Sequence, residues 1–171
     1  VGGRLEYQRS PAVWSEVEAN IARYAALASR RVQIYTNTSI GILNAWTLPD
    51  LLDWLVTAHP DGAVRFNLNL VHGPAHYDAR NMPAPLKRRV VERLRGVEGA
   101  RALPEGAARQ VAELIEFIGT GPPDDPGAWD RFLAETARRD AIRGEDVAVA
   151  LPGLWAEVVA AGPNVRSMEP G

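Results

Sequence analysis

The feature that most limits what this chain can become is a pair of short alternating segments with a helical stretch between them. Val32, Ile34 and Thr36 alternate with Gln33, Tyr35 and Asn37; Val64, Phe66, Leu68 and Leu70 alternate with Arg65, Asn67 and Asn69. A period of two marks a strand with one buried face. Between the two, Leu48, Leu51, Leu52 and Leu55 recur at helical spacing behind Thr47 and Pro49. Asp50 and Asp53 fall in the first turns of that helix, where carboxylates suit its dipole. Pro60, Asp61 and Gly62 then supply a turn. Strands joined through a helix lie parallel with a right-handed crossover, so the expected class is α/β, with strands over about 32–38 and 64–71.

The flanks read as helices. Ser10 followed by Pro11 predicts a helix start, and Trp14, Val17, Ile21, Tyr24 and Ala28 give that helix an apolar stripe. Past Met82 the texture is helix after helix. Asn81 with Pro83 or Pro85 opens one bearing Leu86, Val90, Val91 and Leu94. A second runs from about Pro104 to Ile118, with Val111, Leu114, Ile115 and Ile118 on one face and Gly119 placed to end it. The stretch "TGPPDDPG" predicts a rigid loop. Asp125 and Pro126 open a third helix carrying Trp129, Phe132, Leu133 and Thr136. A short helix at Leu154–Ala161 and a mobile Gly/Pro tail complete the reading. The change of texture divides the chain into an α/β part, 1–82, and a helical part, 83–171.

Composition narrows the function classes. With 171 residues, 46% hydrophobic and 23% charged, the chain can bury one sizeable core, or one core with an appendage. No apolar run approaches the roughly 20 residues that span a bilayer, and the start lacks the pattern of a signal peptide. A cytoplasmic setting without membrane partners is expected. The opening "VGGRLEYQRS" has no initiator Met and reads as cut from a longer chain. With no Cys, the chain can form no disulfide, cysteine-ligated zinc site or cysteine nucleophile of its own. The net charge of −2 is uneven: residues 1–95 hold 12 Lys/Arg against 8 Asp/Glu, and residues 96–171 hold 7 against 13. The basic excess of the first part suits an anionic ligand but is far below the density of a nucleic-acid surface, and no nucleic-acid partner is expected.

In parallel α/β folds, ligands gather beyond the carboxyl ends of the strands. Asn37, Thr38 and Ser39 occupy one such end, and Asn69 to His72 the other. The donor and acceptor capacity of Asn and Thr suits a ribose or an amino-acid ligand, while the plainer role is to satisfy the loop's own backbone groups. Asn67 and Asn69 share a face of the second strand, which either meets water or lines a polar interior. His72 and His76 are separated by Gly-Pro-Ala without a third ligand in view, so no metal site is assigned.

Four stretches together resemble the rear portion of radical S-adenosylmethionine (SAM) proteins, in particular the group carrying a twitch domain. These are "RLEYQRSPAVWSEVEANIARY", "TNTSIGILNAWTLPDLLDWL", "FNLNLVHGPAHYDARNMPAPLKRRV" and "RRDAIRGEDVAVALPGLWAEVV". The resemblance implies the C-terminal part of an open (β/α)6 partial TIM barrel, followed by an all-helical segment. It implies that Gly2-Gly3 follow a Ser-x-Asp-Gly motif at the end of a fourth strand. Asn37, Thr38 and Ser39 then form the SAM-facing lip of the fifth strand, Asn67 lies inside the sixth, and Arg9 meets the SAM carboxylate. The family's CxxxCxxC loop, which holds the iron-sulfur cluster that cleaves SAM, has no counterpart here, nor do the cysteines of an auxiliary cluster. The implied reading is a fragment that is inactive alone. It has no catalytic residues of its own, and its partners are the missing N-terminal half of the barrel and a peptide, protein or small-molecule substrate. A standalone, non-catalytic α/β-plus-helical binding or scaffold module is the competing class. Half a barrel would leave a bare strand edge, so the isolated chain is expected to be poorly soluble or self-associated.

Overall fold

The computed structural model describes residues 1–97 in full, the backbone of 98–100, residue 103, and residues 106–121 and 125–161. The start of the helix expected at Pro104, part of the 120–127 loop and the tail from 162 lie outside the described residues.

The two alternating segments form strands β1, Ile34–Ile40, and β2, Val64–Leu70, paired in parallel with Ile34 opposite Val64 and Ile40 opposite Leu70. The chain is mixed α/β, with the sheet in its first half. β1 starts two residues later than expected and continues through Asn37–Ser39 to Ile40, so these polar residues lie within the strand and not beyond it. Helices α1, Gly3–Gln8, and α2, Trp14–Ala25, precede β1; α3, Ile42–Ala45, and α4, Leu48–Ala58, carry the chain across to β2. After two 3-10 turns, Ala75–Tyr77 and Ala79–Asn81, come α5, Ala84–Ala100, α6, Ala107–Gly119, α7, Ala128–Arg143, α8, Val147–Ala150, and α9, Pro152–Ala161.

Alternation places Val64 and Phe66 in the core and leaves Arg65 and Asn69 exposed. Leu48, Leu52 and Leu55 of α4 are buried beside them, as the helical spacing requires. The same hydrophobic cluster continues through Leu86, Val90 and Leu94 of α5, Val111, Leu114 and Ile118 of α6, Phe132 of α7 and Leu154 of α9. One core thus draws on residues from both sides of Met82.

One local reading changes. The helix expected to open at Ser10 and Pro11 begins at Trp14, whose N–H donates to a Glu6 carboxylate oxygen at 2.7 Å. Residues Arg9–Ala12 instead make a turn closed by the Ala12 N–H on the Arg9 carbonyl at 2.8 Å. The acceptor for the first turn comes from α1, a helix that the Gly pair at its start concealed.

At the end of β1 the chain turns at Gly41, where a Cβ would lie 2.8 Å from the Tyr77 carbonyl oxygen. Only a residue without a side chain lets the loops after β1 and β2 approach so closely. Asn44 fastens the turn: its Oδ1 accepts from the Gly41 N–H at 2.7 Å and its Nδ2 donates to the Ser39 carbonyl.

Candidate functional site

A cleft of about 510 Å³ lies alongside β1, within the ordinary size range for small-ligand sites. Its wall is β1 from Tyr35 to Thr38. Leu48, Leu51 and Trp54 of α4 and Trp14, Val17 and Ile21 of α2 supply apolar surface, and Leu5, Gln8 and Arg9 line it from α1 and the turn after it.

α2 reaches this cleft because its apolar stripe points there, yet none of its residues is buried. Its connections are few and specific. The Trp14 ring meets the Trp54 ring edge-on with centroids 5.0 Å apart, and Trp54 Nε1 donates to Glu18 Oε1 at 2.9 Å. An edge-to-face pair of this kind adds roughly 0.5–1.5 kcal/mol beyond area burial.

Arg9 and Asn37 therefore share one cleft with Thr38. Asn67 does not line it; it touches the site through Asn37, its Nδ2 donating to Asn37 Oδ1 at 2.9 Å across the register pair. That bond occupies Asn37's acceptor oxygen and leaves its amide hydrogens available to a ligand. Ser39 does not line the cleft, and its carbonyl is taken by Asn44. The cleft flanks the middle of β1 and does not extend over the carboxyl ends of both strands. Asn69 and His72 stand apart from it, with the His72 ring edge-on to Phe117, centroids 5.2 Å apart.

Arg9 is the only charged side chain in the lining, and among the described residues it has no carboxylate partner. Neighbouring ionic groups are engaged: Arg4 with Asp50, Glu6 with the Trp14 N–H, Glu18 with Trp54. An exposed guanidinium beside Asn and Thr donors suits a carboxylate or another anion. No group of His, Asp and Glu able to hold a metal ion occurs among the described residues.

Sequence reasoning did not single out three residues that shape this site. Asn44 and Gln8 line the cleft, and Asn44 also fastens the turn after β1. The third is Tyr7, which holds α1 in place. Its hydroxyl donates to Asp140 Oδ1 at 2.7 Å, Arg139 donates to the same hydroxyl, and Arg143 donates to the Tyr7 carbonyl at 3.0 Å. The Gly41-to-Asn44 spacing is a recognisable local signal for the first; nothing local marks Tyr7, whose partners lie on α7.

No protein-family model matches the chain, and neither a curated protein nor a solved structure does.

Proposed function

We propose that this chain is the rear part of an open radical SAM barrel, contributing its last two strands and part of the SAM-binding surface. In this reading β1 and β2 are the fifth and sixth strands, and a cluster-bearing N-terminal half of the barrel is the partner. Arg9 takes the SAM carboxylate, the Asn37 amide and the Thr38 hydroxyl meet the sugar or the amino-acid end, and Asn67 orients Asn37. The observation that carries the reading is the meeting of Arg9, which has no carboxylate partner among the described residues, with Asn37 and Thr38 on one cleft beside a parallel strand pair. The residues fit an amino-acid carboxylate. They do not fit an iron-sulfur cluster, since the chain has no Cys, and no radical chemistry is assigned to it.

The affinity follows from what remains. Each hydrogen bond contributes about 0.5–1.5 kcal/mol net, or up to about 3 kcal/mol to a charged group. Three or four of them barely offset an association cost of about 4–15 kcal/mol. SAM is therefore expected to bind the chain alone no tighter than about 1 mM, equivalent to about −4 kcal/mol. Calorimetry tests this: tighter binding on adding the cluster-bearing half, reversed by Arg9→Ala, supports the reading. Micromolar SAM binding to the chain alone would instead identify a dedicated binding module. That second reading, a standalone α/β-plus-helical module, is favoured by the single core that joins residues on both sides of Met82.

A further inference from the structure

Two surfaces of the chain combine exposed apolar side chains with charge of a single sign, and the two signs are opposite. The first is the turn after α2, where Tyr24, Leu27 and Val32 are all exposed. The Leu27 N–H donates to the Tyr24 carbonyl at 2.9 Å, and the Ser29 N–H donates to the Val32 carbonyl at 2.9 Å. Ser29 Oγ accepts from the Arg31 and Val32 N–H groups at 3.3 and 3.1 Å. The closed turn sets Arg30 and Arg31 on the surface, and neither has a carboxylate partner among the described residues. From residue 19 to residue 49 the sequence holds no Asp or Glu, so nothing nearby in the chain offsets their charge.

The second surface is a groove of about 570 Å³ between α1, the turn that follows it, and α8. Pro11, Ala12, Val149 and Ala150 give it apolar walls, and Val149 is 79% exposed. Its charged lining residues, Glu6, Glu145 and Asp146, are all acidic. Among the described residues only Glu145 has a cationic partner, Arg143 at 3.5 Å, and Arg143 also donates to the Tyr7 carbonyl. A lone exposed apolar residue is ordinary, whereas a group of them set in charge of one sign marks a contact surface.

We propose that the turn after α2 of one copy docks into the α1–α8 groove of a second copy. Its apolar side chains lie against Val149, and Arg30 and Arg31 face Glu145 and Asp146. Both surfaces are exposed within one copy, so neither is satisfied by the other there. The whole chain is divided in the same sense: residues 1–95 carry 12 Lys/Arg against 8 Asp/Glu, and residues 96–171 carry 7 against 13. Turn against turn, or groove against groove, would bring like charges together. Because turn and groove are different surfaces, each pair leaves one of each free, and assembly continues past the dimer. The surfaces are small, so the contact is weak and depends on concentration. The turn, Glu145, Asp146 and Val149 do not line the cleft beside β1, and the docking stands or falls apart from the SAM reading.

Sedimentation velocity of the full chain over a range of concentrations tests the docking. One double variant, Arg30→Glu with Arg31→Glu, reverses the charge of the turn. A second, Glu145→Lys with Val149→Lys, blocks the groove and spares Asp146, whose side chain caps α8 by accepting from the Ala148 N–H at 2.7 Å. Arg30, Arg31 and Val149 are exposed and Glu145 is half-exposed, so the urea midpoints should stay close to that of the parent chain. The parent is expected to form species larger than dimers as concentration rises, and each double variant to associate at least about tenfold more weakly. An equal mixture of the two variants should regain association but stop at one-to-one dimers, because a single intact turn and a single intact groove are then consumed. Leu27→Ser should weaken the parent's association without any change of charge. Salt raised from about 0.05 M to about 0.5 M should weaken it severalfold through screening. A parent that stays monomeric throughout overturns the proposal. Double variants that associate as the parent does also overturn it, by placing the contact elsewhere, as at the open side of β1. So does a mixture that associates no more than its two components.

Discussion

The sheet has two sides that were built to different standards. The β2 side is finished: Phe66 is buried beneath it, α6 lies along it, and Gln110 stands in for a neighbouring strand. The β1 side is open: Tyr35 is 49% exposed, α2 buries no residue, and Tyr24 on α2 and Leu27 just after it are 59% and 62% exposed. The difference teaches that a strand edge can be closed by as little as one amide side chain, provided a helix holds it at the right height. Where no such side chain exists, the edge and the apolar floor beside it stay available together. Availability for binding and a deficit in burial are here the same property.

The comparison breaks most sharply on burial. Phe66→Ala, on the closed side, removes a ring from the continuous core and should cost about 3–5 kcal/mol. Ile21→Ala, on the open side, removes a side chain that is only half-buried against the cleft and should cost roughly 1 kcal/mol. Urea denaturation of the two variants checks this. Similar costs would mean that α2 is packed as firmly as the body, and the distinction between the sides would fail.

The closing of β2 offers a smaller test. Gln110→Met keeps the length of the side chain and removes both of its hydrogen bonds, leaving the Leu68 N–H and the Phe66 carbonyl without partners. The expected cost is about 1–3 kcal/mol, with faster hydrogen exchange at the Leu68 amide. Unchanged exchange at Leu68 would show that Gln110 does not close the edge, and β2 would then be no more finished than β1.

The sequence made some of this legible and hid the rest. The strands could be read because their alternation sets which residues are buried, and Val64 and Phe66 follow it closely. The parallel order could be read because Thr47–Leu55 is too helical to be a hairpin loop. Asn37 and Thr38 could be chosen as site residues from their types and positions, and Arg9 only through the resemblance to radical SAM proteins; the three line one cleft. Ser39 and Asn67 could not be separated from them by pattern, because alternation gives a face and not an edge. The helix start was misread at Ser10 because the side chain that accepts its first N–H, Glu6, lies on a helix hidden behind two glycines. The closed edge was illegible for a simpler reason. Its closing residue sits 42 positions after Leu68, on an amphipathic helix where a lone Gln carries no local signal.

The subtlest difference between the sides lies in what ties α1, which flanks the cleft, to the closed body. Tyr7 is that tie, buried with its hydroxyl between Asp140 and Arg139. Burial first, and then the hydrogen bond to Asp140, raise its phenol above the ordinary value of about 10. In the unfolded chain Tyr7 loses its proton near pH 10, whereas the folded chain retains it to higher pH. Above about pH 10 the unfolded state therefore binds fewer protons, and stability falls as pH rises toward the folded-state value. Lys87 acts in the opposite sense, since burial lowers its ammonium, so the raw pH profile mixes the two. Subtracting the profile of Tyr7→Phe isolates the tyrosine. The variant should be weaker by about 0.5–1.5 kcal/mol near neutral pH, and its deficit should shrink between about pH 9 and pH 11. In hydrogen exchange, the amides of α1 should open before those of β2 as the pH rises. A deficit that stays constant across that range would mean that Tyr7 titrates alike in both states, and the tie would then be one of packing alone.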